Sequence, residues 1–168
     1  MIRSAALALA VCCGAALAAP ADTSSDGRWR VEGQGTAVVV FDAGQPVKTL
    51  PARALSGGDA SAVSAVRWLQ QRRSFVIAFD TLPELWELSV DPNAPPLFDG
   101  LVHDYRMGEA IGSPGFLGVR RTRLDAAVRS LDADARGEAY LVVSAGKERL
   151  IVNLDVRRVV ERRAQGER

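Results

Sequence analysis

The sequence has two cysteines, Cys12 and Cys13, and a single histidine, His103. One histidine excludes a self-contained multi-histidine metal site. It also excludes a serine-histidine-acid hydrolase built on any other base. Both cysteines fall in residues 1–18, which read as an export signal: Arg3 is the charged start, residues 5–17 are apolar, and Ala16-Leu17-Ala18 is a small-x-small cleavage pattern. The apolar run is short for a bilayer span, and an uncleaved anchor is the alternative. Val11 before Cys12 is a poor lipidation context. Cleavage would remove both cysteines, and with them disulfides, cysteine-ligated zinc and thiolate chemistry. It would also remove Arg3, leaving basic and acidic side chains equal in number.

Charge of one sign is scarce as well. Lys+Arg 21 against Asp+Glu 20 gives a net charge of +1, and mean hydropathy is +0.03. Such a balance lacks the basic excess that phosphate neutralisation needs, so nucleic-acid binding by bulk charge is excluded. Gly33-Gln34-Gly35 lacks the third glycine and the following helix of a dinucleotide site. There is no phosphate-binding loop and no Cys-x-x-Cys-His haem attachment. The high Ala, Arg and Val usage has a bacterial cast, which makes the expected destination periplasmic.

What is present is strand-like. Residues 36–41, 74–79, 139–143 and 150–154 are apolar runs, and residues 85–90 alternate with Trp86, Leu88 and Val90 on one face. Residues 157–163 form a charged edge candidate. Turns at residues 42–46, 81–83 and 144–147 join these into three hairpins, a plan shared by propeller blades and by any antiparallel meander. Residues 60–71 read as a short helix or a strand. Residues 125–134 read as helical, with Leu124, Val128 and Leu131 on one face. Residues 92–122 read as a long loop rich in Gly and Pro, a length that points to function or disorder. Trp29, Trp68 and Trp86 read as core or inter-blade packing.

The loop holds the densest chemistry. His103 stands beside Asp104, followed by Tyr105, Arg106 and Met107. An imidazole there can ligate a metal, and Met107 is a soft candidate ligand; the plainer reading is a histidine that only hydrogen-bonds within its loop. Arg106, Arg120, Arg121 and Arg123 lie in the same stretch as Asp104 and Glu109. Arginine forks suit carboxylates, so a polycarboxylate ligand fits. Solvated charge is the simpler account of Arg123 and of the carboxy-terminal arginines.

Residues 74–89, 94–111, 114–122 and 150–158 together resemble the haem d1 propeller family, over roughly residues 30–160. The similarity is nearest to periplasmic haem d1 biosynthesis proteins of the NirF type, and more distant to the d1 domain of cytochrome-type nitrite reductase. The resemblance implies an eight-bladed propeller with a carboxylate-rich tetrapyrrole, haem d1 or a d1 precursor, in its channel. It puts His103 and Asp104 in the catalytic position, with His103 also the metal ligand. Tyr105, Arg106, Met107, Arg120 and Arg121 would be cofactor-binding. The family's second active-site histidine and its early blades have no counterpart in this sequence. At the usual repeat length the chain supplies about three blades.

The expectation is therefore an all-β, partial propeller: residues 1–18 a signal peptide, 19–29 a polar leader, 30–163 the propeller domain and 164–168 a tail. The expected function is haem d1 biosynthesis or d1-type tetrapyrrole binding, with other d1-synthesis or nitrite reductase proteins as partners. Whether the chain is an enzyme stays open. The alternative is a non-catalytic remnant or interaction module that self-associates through open sheet edges, or pairs with a split partner.

Overall fold

The computed structural model describes residues 18–98 and 112–164. Among them there is no helix. Twelve strands form three four-stranded antiparallel sheets, each a meander in chain order. Blade 1 is β1 (Ala21–Thr23), β2 (Trp29–Gln34), β3 (Ala37–Asp42) and β4 (Gln45–Pro51). Blade 2 is β5 (Val63–Leu69), β6 (Ser74–Phe79), β7 (Glu84–Ser89) and β8 (Val119–Arg123). Blade 3 is β9 (Ser130–Ala133), β10 (Tyr140–Ala145), β11 (Glu148–Asn153) and β12 (Arg158–Ala164). This is a partial β-propeller of three blades.

The hairpins form where the sequence places them. The β3–β4 turn has Ala43 at φ 48 and Gly44 at φ 80. Positive φ at both central residues gives the turn a twist that matches the flanking strands. β6 is buried at all six positions, because it is central in the central blade and both its faces are covered. That is why it reads as a continuous apolar run rather than an alternating one.

Two cores follow from this. Phe75, Ile77, Phe79, Trp86 and Leu88 face blade 1 and pack with Trp29, Val31, Val38 and Val40. Val76, Ala78 and Leu85 face blade 3 and pack with Leu141, Val143, Leu150 and Val152. Each fully buried large side chain contributes about 1.5–3 kcal/mol. The first strands of the blades meet along one side. There the Trp68 N–H donates to Asp22 Oδ2 (2.7 Å), Ser64 Oγ to the Val128 carbonyl (2.7 Å) and Arg67 Nη1 to the Leu131 carbonyl (3.2 Å). β1, β5 and β9 are therefore the inner strands, and β4, β8 and β12 the outer ones.

Gly33 owes its place to this packing: a Cβ there would lie 2.5 Å from Val63 Cβ on the neighbouring blade. The glycines at 33 and 35 thus serve packing and a turn, Gly35 having φ 57.

One open reading of local structure is settled and three change. Residues 60–71 resolve in favour of strand, as β5. Residues 125–134 are not helical: residues 125–129 are irregular and β9 follows. Leu124, Val128 and Leu131 do share one core, but they reach it from a turn and a strand. Residues 92–122 are not all loop, because β8 pairs with β7 from Val119↔Leu88 to Arg123↔Glu84. β1 lies within the stretch read as a polar leader and pairs with Arg30–Glu32 of β2.

Candidate functional site

The connection between β7 and β8, residues 90–118, carries the motif singled out in the sequence. Its ends are pinned. The Leu97 and Ser113 backbones exchange two hydrogen bonds of 2.8 Å each, an isolated antiparallel bridge. Close approach at the stem explains its glycines: a Cβ at Gly115 would lie 2.1 Å from the Pro95 carbonyl oxygen. His103, Asp104, Tyr105, Arg106 and Met107 lie between these ends, outside the described residues.

Arg120 and Arg121 are described, and they part company. Both sit on β8, where successive side chains point to opposite faces. Arg121 faces blade 1. Its guanidinium carbon lies 4.1 Å from the centre of the Trp86 ring, and its Nη1 donates to Glu84 Oε2 (3.1 Å) and to the Arg53 carbonyl (2.9 Å). Trp86 Nε1 donates to the same Glu84 oxygen at 2.9 Å. Arg121 is thus already engaged as a packing and ion-pairing residue.

Arg120 faces the other way, into a cavity of about 340 Å³ on the blade 3 side of the same sheet. None of the described residues hydrogen-bonds or ion-pairs with it. On the same sheet face, directly across from Arg120 in the register, Glu87 belongs to a fixed ionic cluster that sequence reasoning missed. Arg72 grips Glu87 with both arms (Nε to Oε1 2.7 Å, Nη2 to Oε2 3.2 Å) and reaches Asp155 with Nη1 (2.7 Å). Ser74 Oγ donates to Glu87 Oε1 at 3.0 Å. Burial disfavours the Arg72 charge, but hydrogen bonding and attraction from Glu87, then Asp155, more than offset it and raise its pKa.

The local chain is built to hold Arg72 still. The β5–β6 turn places Arg73 at φ 48. Glu138 of blade 3 accepts hydrogen bonds from the backbone N–H groups of Gln70, Gln71 and Arg72, at 2.9, 2.6 and 3.2 Å. The sequence signal for this cluster was Glu87 set between Trp86 and Leu88: a carboxylate flanked by apolar residues in a strand needs a partner.

The cavity lining thus sets Glu87, Asp91 and Asp155 beside Arg72 and Arg120; these carboxylates pair with Arg72 and Arg73, and Arg120 is left as the guanidinium that no described residue engages. An available guanidinium facing a cleft suits a carboxylate held bidentately. The volume is at the low end for small-molecule pockets, about 300–1,000 Å³, so it suits the carboxylate-bearing edge of a large ligand rather than the whole of one. Among the described residues no group of three or more His, Cys, Asp and Glu side chains is gathered for a metal ion. Nor, among them, is any helix long and apolar enough to cross a membrane.

No protein-family model matches the chain, and no curated protein matches it. Solved structures do. The chain is similar to dihydro-haem d1 dehydrogenase NirN in complex with DHE, at 26% identity and a TM-score of 0.63 over 86% of this chain. It is also similar to the periplasmic gluconolactonase PpgL of Pseudomonas aeruginosa (14% identity, TM-score 0.57, 85% of this chain and 38% of that one). A third is the β-propeller domain of Cps50 (Swd1) from Myceliophteria thermophila (13% identity, TM-score 0.54, 87% of this chain and 36% of that one). The last two speak to the propeller fold alone. The chain spans about 27% of the NirN structure.

Proposed function

We propose that this chain is a d1-type tetrapyrrole-binding protein of the periplasm, acting in haem d1 biosynthesis alongside the NirF-type proteins its sequence resembles. The observation that carries the reading is the similarity to NirN, whose structure holds DHE. Arg120, unengaged by any described residue at the mouth of a cleft, supports it: a tetrapyrrole edge bears carboxylates, and Arg120 would hold one. His103 and Asp104 are assigned the acid/base role, with His103 also the metal ligand. Tyr105, Arg106 and Met107 contact the ligand from the same loop. Arg121, placed in the same basic set by resemblance, acts from behind, by fixing Trp86 and Glu84 under β8. Residues 1–18 are the export signal.

The test is an absorbance titration of the exported protein with dihydro-haem d1. A saturable band shift that is altered in His103→Ala supports the reading. No shift, or an identical shift in His103→Ala, sinks the role given to His103 and, in the first case, the ligand class too.

A second reading has its own observation. The outer faces of blades 1 and 3 have no neighbouring blade among the described residues, and Val47 (47%) and Val160 (46%) on the outer strands are open to solvent. An interaction module that pairs with another copy or a split partner would cover such strands. Light scattering separates the two: a monomer that binds tetrapyrrole excludes this second reading.

A further inference from the structure

On the opposite side of blade 2 from Arg120 lies a second cleft, between the outer strands β4 and β8. It encloses about 580 Å³. Its chemistry is one-sided. Lys48, Arg53 and Arg121 line it, and no carboxylate among the described residues does. Lys48 Nζ donates to the Leu117 carbonyl at 2.8 Å, which occupies one of three N–H bonds. The exposed Arg53 offers its backbone carbonyl to Arg121, and no described residue engages its guanidinium. Between the cations the walls are apolar. Leu55 and Phe116 stand open, 65% and 38% exposed, where large apolar side chains normally seek cover.

We propose that this cleft binds a small planar aromatic carboxylate, of one or two rings. Complementary charge sets the head group: two cations with donors that no described residue uses, and no acid among the described lining, call for an anion, and an arginine fork prefers a carboxylate. The walls set the body. Arg121 over Trp86 gives a stacking surface for a flat ring, and Phe116, in edge contact with Trp29 (5.9 Å, 77°), adds a second aromatic side chain to the lining. The volume lies within the usual range for small-molecule sites, about 300–1,000 Å³. The site lies across β8 from the Arg120 cavity, shares only Leu97 and Gly118 with its lining, and does not depend on the tetrapyrrole reading.

The probe is 2-naphthoate, titrated calorimetrically against the full chain. Its charge-reversed counterpart, 2-naphthylmethylammonium, serves as control. One saturable site for the carboxylate and none for the ammonium is expected. Arg53→Gln and Lys48→Gln should each weaken binding about tenfold, the loss of one charged contact, with Lys48→Arg retaining it. Arg53 is exposed, so its variant folds and keeps the test decisive if Lys48→Gln does not. Absence of saturable naphthoate binding overturns the proposal, as does equal affinity for the ammonium or unchanged affinity in Arg53→Gln. The tetrapyrrole titration of Arg53→Gln should match wild type, which separates failure of this proposal from failure of the other.

Discussion

The two faces of the central blade solve the same packing problem with different chemistry. The face turned to blade 1 is aromatic within blade 2 itself: Phe79 on Trp86 (4.7 Å, 65°), Phe75 against Trp68 (4.8 Å, 49°), and Arg121 laid over Trp86 as part of the packing. Toward blade 3 the apolar contact is aliphatic and is bordered by the Arg72–Glu87–Asp155 cluster. The first face uses up its arginine. The second satisfies Glu87 with Arg72 and leaves Arg120 for something else. Adjacent residues on one strand therefore have opposite fates, and only the strand register separates them.

The comparison can be broken hardest at Trp86. Trp86→Ala removes the largest buried side chain of the aromatic face and releases Arg121 and Glu84 together. A loss of about 4 kcal/mol is expected in urea denaturation. Next comes Glu87→Leu, which leaves the half-buried Arg72 beside an apolar side chain with only the exposed Asp155 as partner. The expected cost is about 3 kcal/mol. Adding Arg72→Met should recover most of it, since removing both charges of a buried pair is close to neutral. If the single and double variants are equally unstable, the cluster is not an ion pair in energetic terms.

A smaller effect tests the strut between blades 2 and 3. Glu138→Ala frees three backbone N–H groups of the β5–β6 turn and should cost about 1–2 kcal/mol. It should also quicken amide exchange at residues 70–72 without affecting the blade 1 side. The smallest effect is acid sensitivity at the blade 3 turn. Hydrogen bonds from the Arg136 side chain, and then its backbone N–H, lower the Asp134 carboxyl from 3.8 to about 2. A depressed carboxyl contributes stability that is complete above the unfolded value and is lost as pH falls from 3.8 toward about 2. The stability gap between wild type and Asp134→Asn should close over that window and stay constant above it.

Much of this fold is legible in the sequence wherever burial is symmetric. β3, β6, β7, β10 and β11 carry apolar runs or clean alternation, and their turns carry Gly44, Pro83 and Gly146. β2 is equally legible, since Trp29, Val31 and Gly33 alternate with Arg30, Glu32 and Gln34. β8 is not legible. Val-Arg-Arg-Thr-Arg has no apolar pattern, and pairing with β7 is what makes it a strand. Residues 124–131 show the reverse, three apolar side chains at helical spacing that enter one core without a helix. In the site, residue type marked Arg120 and Arg121 alike; register is a tertiary property, and it alone assigns one to the cavity and the other to Trp86.

The account rests on Arg120 being the ligand-facing arginine of the pair. The direct measurement is the dissociation constant for dihydro-haem d1 in wild type, Arg120→Gln and Arg53→Gln, taken side by side. Arg120 has no described partner to lose, so its variant should fold as wild type does. The account predicts binding weakened about tenfold or more in Arg120→Gln and unchanged in Arg53→Gln. Equal binding by wild type and Arg120→Gln, or no binding by wild type at all, would contradict it.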